Sequence, residues 1–105
     1  MAVINIPHCE PWIVSGPAFR AVLDPLMVAL PDREDREEVQ QALALKGLSF
    51  ELMSEDQAAR IASTLIWVVA ELRVSLTSNP AANEWDLCLA DRLATLEMLL
   101  HDLVE

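Results

Sequence analysis

Apolar residues recur at helical spacing over four stretches of the chain and at closer, strand-like spacing over shorter ones. The longest helical stretch is Ser54–Ser78. At about 100° per residue, Ile61, Ala62, Leu65, Ile66, Val68, Val69, Leu72 and Leu76 fall on one wide arc. Ser54 stands where an N-cap belongs, and Gln57 is placed to complete a capping box. Glu55 and Asp56 suit the positive end of the helix dipole. The opposite stripe is Arg60, Thr64, Trp67, Glu71, Ser75 and Ser78, with Val74 beside Trp67. The apolar centre, Ile61–Ala70, is shorter than the ~20 residues of a membrane span, so the stretch predicts a core helix. Two outcomes stay open for Trp67: cover by the N-terminal arm or a neighbouring helix, or exposure as an anchor for a partner.

A second long helix is predicted from Pro80 or Glu84 to about Val104, capped by Asn79 or Asn83. Trp85, Leu89, Leu93, Leu96, Leu100 and Leu103 form its core face, widened by Leu99. Leu87, Ala94 and Met98 make a separate outer stripe flanked by Asp91, His101 and Asp102. An aligned apolar set rimmed by charge is how a docking surface on a helix would look.

Two shorter helices precede these. Ser15-Gly16-Pro17 is a helix start with Pro17 in the first turn, and Phe19, Val22, Leu23, Leu26, Met27 and Leu30 follow. Pro25 either kinks this helix or begins a new one capped by Asp24. Asp32 caps Asp32–Lys46, whose narrow apolar stripe is Val39, Ala42 and Leu43, and Gly47 stands as its stop. Glu34, Asp35, Glu37 and Glu38 crowd the first two turns, as a solvated acidic helix start or as part of an acidic docking surface.

The first 16 residues carry β-like runs, Val3–Ile6 and Trp12–Val14, separated by Pro7 and Pro11. Leu48–Leu52 alternates with period two and offers a strand for this arm, the alternative being plain extended coil. The expected fold is mainly α, a single bundle-like domain of four helical segments. Two long antiparallel helices fill the C-terminal half, 1–16 is an extended arm, and 17–105 is the helical body.

Composition agrees with helices: Tyr is absent and Gly occurs twice in 105 residues. The formal net charge of −10 repels phosphate backbones and argues against direct nucleic-acid binding, while attracting basic partners. The opening residues lack a basic segment followed by an apolar one, so the expected location is cytoplasmic, with Cys9 and Cys88 as free thiols and Cys88 buried, a Cys9–Cys88 bridge being the alternative.

Recognisable catalytic chemistry is sparse. Two glycines leave no phosphate-binding loop, and no Cys-x-x-Cys pair exists for a structural zinc. His8, Cys9 and Glu10 are adjacent ligand types that an extended chain points to alternate sides. Glu97 and His101 are spaced for a local ion pair, with Glu105 a further turn on. A Cys/His nucleophile would need His101 to reach Cys9 or Cys88. The sequence therefore predicts a non-catalytic module without metal or cofactor that binds a basic protein, as an inhibitor, immunity or antitoxin-like protein does. The candidate contact residues are Trp67, Val74, Leu87, Met98, Glu34, Asp35, Glu37, Glu38, Asp91 and Asp102. A homodimeric scaffold is the alternative, and a small enzyme or metal protein the third.

Overall fold

Four short polar side chains set where the helices begin, each accepting from a backbone amide that lacks a partner within its own helix. In the computed structural model, which describes residues 1–104, Ser15 accepts from the Ala18 amide to start α1 (Gly16–Ala29). Asp32 accepts from Glu34 at 2.9 Å to start α2 (Arg33–Leu45). Ser54 accepts from Gln57 at 3.2 Å to start α3 (Glu55–Ser78). At α4 (Glu84–Val104) the cap is reciprocal: Asn83 accepts from the Asp86 amide at 2.9 Å, and Asp86 from the Asn83 amide at 3.2 Å. Ser54 lacks that return bond, because the Gln57 side chain donates to Asp35 instead.

Pro25 lies inside a single helix; α1 runs through it and ends where the Leu30 amide donates to Leu26. The α2 stop is Lys46, which takes the left-handed conformation at φ 57°, while Gly47 starts a strand. That placement puts the helix stop one residue earlier than the expected Gly47. A lysine there accepts a conformation in which glycine is favoured.

The N-terminal arm is more regular than an extended coil. β1 (Ala2–Asn5) pairs antiparallel with β2 (Trp12–Val14) and parallel with β3 (Gly47–Ser49), giving the order β2-β1-β3. The expected pairing with 48–52 holds at Leu48 and Ser49. Beyond them the chain turns into a short 3₁₀ segment, Phe50–Leu52, with Phe50 buried and Leu52 exposed. Alternation ends there because Phe50 plugs the core and the chain must turn toward α3.

Ile4, Ile6 and Leu48 from the sheet side, Phe19, Leu23 and Leu26 from α1, Ile61 and Leu65 from α3, and Leu93, Leu96 and Leu100 from α4 are all sealed in one core. α3 and α4 share the most extensive contact, with α1 packed on α3. The fold is thus mainly helical, with two long antiparallel helices and a small sheet.

By length and composition alone α3 is long and apolar enough to cross a membrane, with a mean hydropathy of 1.3 in an 18-residue window that reaches beyond Ile61–Ala70. In this fold its apolar arc, Ile61, Ala62, Leu65, Val68 and Val69, faces the core. α2 sits aside, buried only through Asp35, Val39 and Ala42.

Leu65→Ala should lower unfolding free energy by about 2–5 kcal/mol in urea titrations, because the surrounding helices cannot close the space. Val28→Ala, on an exposed position of α1, should stay within about 0.5 kcal/mol of the parent.

Candidate functional site

Asp35 belongs inside. It was expected on the acidic surface, yet it is 1% exposed and is the single buried charged side chain among the described residues. Spacing explains this: Asp35, Val39 and Ala42 lie at i, i+4 and i+7, one line of α2. Arg60 of α3 donates to both carboxylate oxygens at 3.0 Å, and Gln57 adds a third bond at 3.3 Å. The Arg60 bonds hold the Asp35 carboxyl below its ordinary range, against the opposing effect of burial. Partner contact is closed to Asp35; it ties α2 to the start of α3.

The remaining acids of α2 do face outward, with Glu34 and Glu37 exposed and Glu38 half-buried. Glu37 is engaged by Arg33 one turn earlier, at 3.1 Å.

Trp67 is 59% exposed on the outer face of α3, and Val74, two turns on, is 60% exposed. Neither the arm nor a neighbouring helix covers the indole. Pro25 of α1, with Trp67, Val68, Glu71, Leu72 and Ser75, lines a shallow groove of about 360 Å³. The proline that remains inside α1 therefore helps to shape a surface rather than a break between helices.

Leu87 and Met98 stand outward on α4, 54% and 66% exposed, with Asp91 and Asp102 exposed beside them. Two residues expected in the core of this helix are displaced from it. Trp85 is 50% exposed and Cys88 is exposed. Both border a small hollow with Val14, Ser15 and Ala18, where the start of α1 approaches α4 without closing over it. Both cysteines are free thiols.

β2 is fastened to α4 by a reciprocal pair of contacts. The buried Trp12 indole N–H donates to the Arg92 carbonyl at 2.9 Å, and the Arg92 guanidinium donates to the Ile13 carbonyl. Arg73 of α3 lies 2.9 Å from a Glu97 oxygen of α4, close enough for an ion pair although poorly aligned for a hydrogen bond. Glu97 thus pairs across the helices, not locally with His101. Glu105 lies outside the described residues.

An open depression of about 630 Å³ borders Pro7, His8, Phe50, Glu51, Met53, Glu55 and Leu103. His8 sits at its edge in a left-handed turn at φ 63°. Among the described residues no three His, Cys, Asp or Glu side chains converge as metal ligands. The sequence held signals for some of this. An acid on the buried line of α2 demands a partner, and Arg60 is the cation early in α3. Exposure of Trp85 and Cys88 had no local signal, because it depends on how closely another element approaches. No family model, characterised protein or solved structure matches the chain.

A depressed carboxylate stabilises the fold fully above the unfolded aspartate value, about 3.9, and loses that contribution as pH falls through the lower folded value. Arg60→Met should therefore lower the urea midpoint at neutral pH, with the gap to the parent shrinking below about pH 4. A gap constant from neutral pH into that acid range would show that the carboxylate is not what Arg60 serves.

Proposed function

We propose that the chain is a non-catalytic acidic module that binds a basic protein stoichiometrically, as an inhibitor, immunity or antitoxin-like protein. The observation that carries this reading is Trp67, an indole more than half exposed on α3 beside Pro25 and in line with Val74. Large aromatics without cover are costly in water and are the residues on which interfaces concentrate their energy. The charge of −10 supports a basic partner and disfavours nucleic-acid phosphates and anionic lipid headgroups alike. In this reading Trp67 and Val74 are the apolar anchors, and Glu34, Glu37 and Glu38 supply long-range attraction. It involves no metal, cofactor or membrane, and the protein acts in the cytoplasm.

A homo-oligomeric scaffold is the second reading, in which exposed apolar positions such as Trp67 and Val74 would meet their symmetry mates across a two-fold axis. Light scattering at tens of micromolar separates the two: a monomer removes the scaffold.

Association with small basic proteins of the source cell should weaken steeply with salt, mainly through slower association. Trp67→Ala should cost about tenfold in affinity, roughly 1.4 kcal/mol. Calorimetry in which neither Trp67→Ala nor Val74→Ala nor charge reversal at Glu34 and Glu37 changes binding would remove the proposal.

A further inference from the structure

We infer that the outer face of α4 docks a basic amphipathic helix of the partner; this rests on the protein-binding reading and specifies its chemistry. Leu87, Ala94 and Met98 follow one line of α4, and Glu84, Asp91 and Asp102 follow the neighbouring line. At about 1.5 Å per residue, the apolar line extends roughly 16 Å and the acidic line roughly 27 Å. A partner helix of about four to five turns would span both.

The other charges of α4 are already committed. Arg92, its one Arg or Lys, is turned to the Ile13 carbonyl. Glu97 faces Arg73, and Asp86 caps the helix. What remains beside the exposed Leu87 and Met98 is the negative charge of Glu84, Asp91 and Asp102, which form no ion pair among the described residues. An incoming helix with leucines on one face and arginines or lysines along its flank would cover the apolar line and meet the acidic line.

A second copy of this chain fits the same face poorly. Antiparallel two-fold packing of α4 on itself brings both acidic lines to the same side of the seam. A parallel pair sets each acidic line against a flank that offers no lysine or arginine. Either arrangement adds to the repulsion between molecules of charge −10.

The probe is a synthetic helix of about 18 residues, leucine on one face and arginine on the other, with a scrambled peptide of equal composition as control. Calorimetry and amide chemical shifts of the full chain give affinity and location. The ordered peptide should bind about tenfold more tightly than the scrambled one, with shifts concentrated in 84–102. Leu87→Ser with Met98→Ser, or Asp91→Lys with Asp102→Lys, should each weaken it by about tenfold, and Trp67→Ser by less than about twofold. Circular dichroism on each variant checks that the helices persist; Leu87→Ala and Met98→Ala replace any variant that has unfolded.

Equal binding of both peptides, shifts centred on α1 and α3, or no binding by the parent chain at about 100 micromolar would overturn the inference. So would a dimer broken by the Leu87 and Met98 substitutions. The two readings fail separately. A null peptide result leaves the Trp67-dependent association with an intact basic protein standing. Loss of that association alone removes the Trp67 anchor without touching the peptide result.

Discussion

Burial of the α3 apolar arc is the constraint to which the rest of the structure answers. The arc is too wide for one neighbour to cover. α4 takes its most extensive contact and α1 packs on it separately, with sheet residues such as Ile4 and Leu48 completing the same core. Apolar surface withdrawn from water contributes about 25 cal/mol per Å², so a helix flanked in this way contributes heavily to stability. It also has little freedom to roll. Whatever lies at the back of the arc must point to solvent, and Trp67 and Val74 lie there.

The polar contacts refine this arrangement. Asp35 and Arg60 fasten the otherwise lightly buried α2, since Asp35 is one of only three buried residues on that helix. A carboxylate withdrawn from water is costly unless its bonds are replaced, and three donor contacts from Arg60 and Gln57 replace them. The contacts between Trp12, Ile13 and Arg92 do similar service between the sheet and α4.

Helix starts were legible in the sequence because capping is local chemistry: Ser15, Asp32, Ser54 and Asn83 each find an amide two or three residues on. The buried arcs of α3 and α4 were legible for a similar reason, since spacing alone sorts residues onto faces. Asp35 was misread because dipole chemistry and helical spacing gave opposite answers, and spacing prevailed once Arg60 was within reach. The strands were only half legible. Each is three or four residues long, and their order depends on chain segments more than thirty residues apart. Trp67, Val74, Leu87 and Met98 were legible as off-core positions. Pro25 as a neighbour of Trp67 was not, since that proximity arises from packing between helices.

The Arg92 contact bears on how the sheet meets its surroundings. The Val3 amide bonds toward Lys46 on the β3 side, so Ile13, its antiparallel partner, turns its carbonyl away from β1. That carbonyl would otherwise be an open rung on the outermost strand, available to a strand from another molecule. The guanidinium occupies it, and the helix lies alongside. A ladder cannot readily grow from this margin, which guards a short, apolar strand pair against runaway stacking between chains.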